Sequence, residues 1–129
     1  MNKAHNPPAI AQPIGGTYSH GLEVPANART LYIAGQVGLA PDGKLGATLE
    51  DQAEQAWRNI EAILASASMA PTDLVKIVTY VIDPRYIQGA REVRARHLGT
   101  HRPASTLVVI SGLADPKMLI EIEGVAAKA

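Results

Sequence analysis

Apolar residues recur at spacings of three and four from Leu49 through Ala53, Ala56, Trp57, Ile60, Ile63 and Leu64 to Ala67. That is one face of an amphipathic helix of about five turns. Thr48 stands at the N-cap position, Asp51 follows three residues later as a weaker form of a capping box, and Pro71 stops the pattern. The spacing predicts a helix over Thr48–Ser68. A second apolar side, Tyr86, Ile87, Ala90, Val93, His97 and Leu98, follows an Asp83-Pro84 start signal and ends at Gly99. Arg85, Arg91, Arg94 and Arg96 line the rest of that helix.

The remaining apolar runs are short and rich in β-branched residues, which reads as strands. Leu74–Ile82 is the richest; Thr30–Val37, Ser105–Ile110 and Met118–Ala126 are the others, with Tyr18–Val24 as a first strand. The Pro25–Ala28 turn signal suggests that the first two strands form a hairpin. The order β-β-α-β-α-β-β, with hairpins at both ends, predicts an α+β fold: one mixed sheet with two helices on one face. The strands look apolar on both sides and no third layer is left to cover the second face. A homo-oligomer that buries this face between subunits is the economical answer. Residues 1–16, with Pro7, Pro8, Pro13, Gly15 and Gly16, read as a loose N-terminal arm, and residues 17–129 as a single domain.

Composition narrows the function. The chain has 129 residues, enough for one real core. Cys is absent, which removes disulfides, thiolate metal sites and cysteine nucleophiles. Twelve Lys and Arg balance twelve Asp and Glu, and Phe is absent. A nucleic-acid binder usually has a basic surplus and a stacking platform, so this balance argues against such a partner. No apolar run is long enough to span a membrane. The first residues lack the apolar core of a signal peptide, so the expected address is the cytoplasm.

Several residues could carry chemistry. Alternation puts Glu121 and Glu123 on the same face of the last strand, roughly 7 Å apart, where one could serve as an acid or base; the competing reading is a solvated face or pairing with Arg. Gly35 would let a small ligand approach the main chain; the competing reading is a bulge. Tyr18-Ser19-His20 offers a phenol and an imidazole. Arg91, Arg94, Arg96 and Arg102 form a basic cluster that could hold a carboxylate or phosphate, although such a cluster is more often a solvated helix face. His97 and His101 are separated by Gly99 at a helix end, which argues against a metal pair. No phosphate-loop, dinucleotide or Gly-x-Ser-x-Gly pattern occurs.

Four stretches resemble the Rid family, also called YjgF/YER057c/UK114 and formerly endoribonuclease L-PSP. They are Tyr18-Ser19-His20-Gly21, Leu31 to Val37 with the following Pro-Asp-Gly turn, Gln52 to Leu64, and Arg102-Pro103-Ala104-Ser105 through Ile120-Glu121-Ile122-Glu123. The resemblance implies a chorismate-mutase-like homotrimer with inward-facing sheets and clefts between subunits. It implies a cofactor-free hydrolase that converts small enamines and imines to keto acids and ammonia. In the deaminases an Arg follows the Pro-Ala of the fourth strand and grips the substrate carboxylate. Here Ser105 stands there, so the resemblance is to a subgroup lacking that Arg. Glu121 keeps the acidic position, Tyr18 the aromatic one and Gly35 the glycine of the pocket. Ordinary imino-acid deamination is then expected to be slow unless Arg91, Arg94 or Arg102 enters the cleft. The alternative is a non-catalytic trimer that binds a metabolite or regulates a partner; the ribonuclease label fits the charge balance poorly.

Overall fold

The structure, a computed structural model, describes residues 2–129. Its elements in chain order are β1 (Lys3–His5), β2 (Gly21–Glu23), β3 (Arg29–Gln36), α1 (Leu49–Ser66), β4 (Leu74–Val81), α2 (Ile87–Leu98), β5 (Ala104–Val109) and β6 (Ile120–Lys128). The main sheet has the order β3-β6-β4-β5. Only β4 and β5 are parallel, joined through α2; β6 runs antiparallel to both β3 and β4. The predicted α+β architecture with a mixed sheet is therefore what forms.

Neither predicted hairpin does. β2 pairs with β1 in a separate two-stranded ribbon, so Lys3–His5 of the arm is ordered against Gly21–Glu23. The place beside β3 goes to β6. The physical reason lies in side chains: Gly21-Leu22-Glu23 offers one apolar residue, whereas β6 alternates Ile120, Ile122, Gly124 and Ala126 toward the core. Asp83 caps a short 3-10 turn over Pro84–Tyr86 rather than α2 itself, which starts one turn later. Thr48 caps α1 as expected, its hydroxyl accepting from the Asp51 N–H at 3.1 Å.

Both helices pack on one sheet face. Trp57, Ile60 and Leu64 of α1 and Val93 of α2 meet Ile77 and Val81 of β4 and Ile120 and Ile122 of β6, all buried. Burial of such side chains contributes about 1.5–3 kcal/mol each. The opposite face carries Tyr32, Val78, Tyr80, Val108, Glu121, Glu123 and Val125, and Tyr32 there is 80% exposed.

A buried amide anchors the start of β6. The Gln52 side chain, 1% exposed, donates to the carbonyls of Gly46 and Lys117 at 2.8 and 2.9 Å and accepts from the Leu119 N–H at 2.8 Å. Its helix backbone lies so close to Gly38 that a Cβ there would come within 2.5 Å of the Gln52 Cα. Gly38 thus lets the chain pass close against its own helix.

Candidate functional site

Tyr18 is positioned by its neighbour. The Ser19 N–H donates to the Pro103 carbonyl at 3.1 Å, and the buried Ser19 hydroxyl donates to the Arg102 carbonyl. This pins the segment before β2 to the start of β5 and sets Tyr18 near Ser105. The Arg102 guanidinium fastens the other side, donating to the carbonyls of Gly16 and Gly99 at 2.8 and 2.7 Å. Gly15 and Gly16 have φ of 70° and 62°, a left-handed bend that glycine adopts without steric cost. The segment bends over α2, and the Ile14 N–H donates to the Tyr18 hydroxyl at 3.2 Å.

Beneath it lies a cavity of about 490 Å³ whose walls include Tyr18, Arg91, Arg94, Arg102, Ser105 and Leu107. Four of the six predicted site residues thus share one pocket. Arg94 is the unexpected member. A solvated helix face was the favoured reading of the basic cluster, yet Arg94 is 8% exposed. Among the described residues its guanidinium donates only to the hydroxyls of Ser105 at 3.3 Å and Thr17 at 3.4 Å. Among the described residues no carboxylate lies within 4.0 Å of it. Burial first, then the nearby charges of Arg91 and Arg102, pushes its pKa below the ordinary arginine value. A desolvated cation without a counter-ion is costly, of the order of several kcal/mol. Thr17 was not singled out from sequence, although it adjoins Tyr18 in the motif.

Glu121 and Gly35 are elsewhere. Ser105 is paired with Ile77, and Glu121 with Tyr80 on the same strand. Two strand spacings and three residue rises separate Ser105 from Glu121, about 14 Å in the plane of the sheet. The odd number of residues also places them on opposite faces. Gly35 falls in the irregularity between Ile33 and Gln36, and a Cβ there would lie 2.6 Å from the Glu121 carboxyl carbon. The room at Gly35 is filled by Glu121. Beside it, Glu123 accepts a hydrogen bond from the Tyr80 hydroxyl. That bond, with burial and the charges of Glu123 and Glu121, raises the Tyr80 pKa.

The histidines have other partners. His97 makes contacts of 2.7 Å to Glu54 and 3.1 Å to Glu61 and stacks on Trp57 with ring centroids 5.9 Å apart. His101 lies 2.7 Å from the Leu74 carbonyl and His20 the same distance from that of Ala11. Arg96 leaves the basic cluster for Glu54, at 3.9 Å.

The family profile described as endoribonuclease L-PSP matches residues 9–128. A RutC family protein of Pyrococcus horikoshii is 36% identical over 118 residues, covering 88% of both chains. Escherichia coli TdcF, named as a candidate reactive intermediate deaminase, is 25% identical over 118 residues, again with 88% of each chain covered. The crystal structure of YyfB from Yersinia pestis, described as a Rid family protein of unknown function, superposes with a TM-score of 0.87 at 31% identity, covering 98% of both chains. With matches of this extent across sequence and fold, the chain belongs to the Rid (YjgF/YER057c/UK114, endoribonuclease L-PSP) family.

Proposed function

We propose that this protein is a cofactor-free hydrolase of small anionic imines or enamines, with a substrate range altered by Ser105 and with Arg94 replacing the missing strand arginine. The observation that carries this reading is the buried Arg94 beside Ser105 and Tyr18, a cation with no acid to pair with among the described residues. A carboxylate entering the pocket would receive a charge-assisted bond worth about 1.5–3 kcal/mol. Water adds to the C=N carbon while a nearby carboxylate takes its proton and returns it to the nitrogen. In the next step the same carboxylate relays the hydroxyl proton to the departing amine. The carbinolamine then collapses, giving a keto acid and ammonia. Glu121 is the candidate base. Its distance from Ser105 within one protomer requires a neighbouring copy to supply it, and the open sheet face with exposed Tyr32 gives subunits a surface to share. We therefore read the active form as a homotrimer with clefts between subunits.

The test is ammonia release from imines generated by an amino-acid oxidase. Native protein should release ammonia, and Glu121→Gln should lower the rate by about 10²-fold or more. Inactive Arg94→Gln and Glu121→Gln chains, unfolded and refolded together, should recover part of the activity if one cleft draws on two subunits. Inactivity of both the native protein and Ser105→Arg would exclude the substrate class. The second reading, a metabolite-binding trimer without turnover, is favoured by the separation of Glu121 from the pocket. Saturable binding of small carboxylates without ammonia release would select it.

A further inference from the structure

We infer that the pocket between α2 and the Ile14–Tyr18 segment takes a short dicarboxylate, one carboxylate held at Arg94 and the other at Arg91. The inference rests on the pocket being the metabolite site proposed above, and it narrows the substrate from anionic imines to imines of dicarboxylic acids.

Three guanidiniums line the cavity, those of Arg91, Arg94 and Arg102, against the single carboxylate of Glu92. Arg102 is largely occupied, with Nε and Nη1 on the main-chain carbonyls of Gly16, Gly99 and His101. Glu92 is engaged by the Gln88 amide at 3.2 Å. Arg94 has only the two long hydroxyl contacts, and Arg91 has no ion pair among the described residues. Arg94 is therefore a buried charge without a counter-ion among the described residues, and Arg91, exposed to solvent, is a second cation free to pair with a carboxylate.

Their placement decides between ligand shapes. Arg91 and Arg94 stand three residues apart on α2, so their side chains rise from the same region of the helix. Arg94 is buried and Arg91 exposed, which sets the two charges at different depths. Ala95, Leu98 and Leu107 add an apolar wall to the same cavity. Two anionic ends joined by a short carbon chain match cations at two depths beside an apolar wall. A compact, strongly hydrated oxyanion such as phosphate does not.

The experiment is calorimetric titration of the assembled protein at low ionic strength with succinate, glutarate, butyrate and inorganic phosphate, repeated on Arg91→Gln. Succinate or glutarate should bind about tenfold or more tighter than butyrate, and Arg91→Gln should remove most of that ratio. Equal affinities, a preference that survives Arg91→Gln, phosphate binding as tightly as the dicarboxylates, or no binding at all would each overturn the inference. A parallel assay compares imines from oxidised aspartate or glutamate with those from alanine or leucine. Dicarboxylate-selective binding with no imine turned over would keep the inference and remove the deaminase reading. Turnover of monocarboxylic imines without dicarboxylate selectivity would do the reverse.

Discussion

The Arg94 guanidinium donates to the Ser105 hydroxyl at 3.3 Å, a neutral partner where a cation this deeply buried would ordinarily meet an acid. A hydroxyl relieves part of the desolvation cost and none of the charge. On the proposed reading an incoming anion supplies the missing charge, and without one the buried cation costs stability.

Arg94→Met should therefore stabilise the free protein while removing anion binding. Met keeps most of the side-chain length and carries no charge to desolvate. Replacing buried ionic groups with apolar ones of similar volume is often stabilising by about 1–4 kcal/mol, and a gain of about 1–2 kcal/mol is expected here. Urea unfolding followed by Trp57 fluorescence measures it, since the chain has one Trp. A clear loss of stability would mean that the guanidinium is a structural tie and not a binding group.

The α1–α2 contact should fail in acid. Glu54 is held below the ordinary value of 4.5, mainly by its hydrogen bond to His97; burial opposes this, and the charges of His97, Arg58 and Arg96 add to it. A lowered folded-state pKa means the unfolded chain binds the proton more readily. The stabilisation is fully present above the unfolded value of 4.5 and is lost as pH falls through the lower folded value. Urea midpoints from about pH 6 to about pH 3 should fall, and His97→Phe should flatten the part of that slope due to Glu54. An unchanged slope would show that His97 does not set the Glu54 titration.

Much of this was legible in the chain. The helices announced themselves by spacing, caps and Gly99, because those signals are local. Strand partners were not, because pairing is decided by which strands can share a buried face; Gly21-Leu22-Glu23 could not compete with β6 for β3. Arg94 was visible in principle. It follows Ala90 by four residues and precedes Leu98 by four, which places it on the apolar side of α2. Residue type suggested a solvated face, and the covering segment is held by Ser19 and Arg102 through contacts that join Tyr18 to β5 across more than eighty residues. No local signal encodes such contacts. Likewise, Glu121 and Ser105 both fall on predicted strands, but their separation became readable only with register.

Gln52 should matter more to stability than its place in a helix suggests. Gln52→Met preserves length and apolar contact while deleting three hydrogen bonds, leaving the Gly46 and Lys117 carbonyls and the Leu119 N–H without that partner. Each buried group so orphaned costs about 1–3 kcal/mol, less where water reaches it, so a loss of about 3 kcal/mol is expected. Hydrogen exchange at the Leu119 amide gives a local readout, and protection there should fall first. Loss confined to the global unfolding free energy, with Leu119 protected as before, would contradict this anchoring role.

Gly35→Ala separates folding from chemistry at Glu121, the proposed base. The new Cβ would meet Cδ, Oε2 and Cγ of Glu121 at 2.6–2.9 Å, too close for either group to stay. The obstructing atoms are the far end of a flexible side chain on a half-buried sheet face, so the carboxylate can swing aside with little strain on the backbone. Stability should change by less than about 1 kcal/mol. The position of the carboxylate, by contrast, must change. If Glu121 takes the water proton, a displacement of about 1 Å is enough to lower turnover by about 10²-fold. The measurement is kcat for imine hydrolysis together with a urea midpoint on the same sample. A full rate in a stably folded Gly35→Ala protein would remove Glu121 from the reaction.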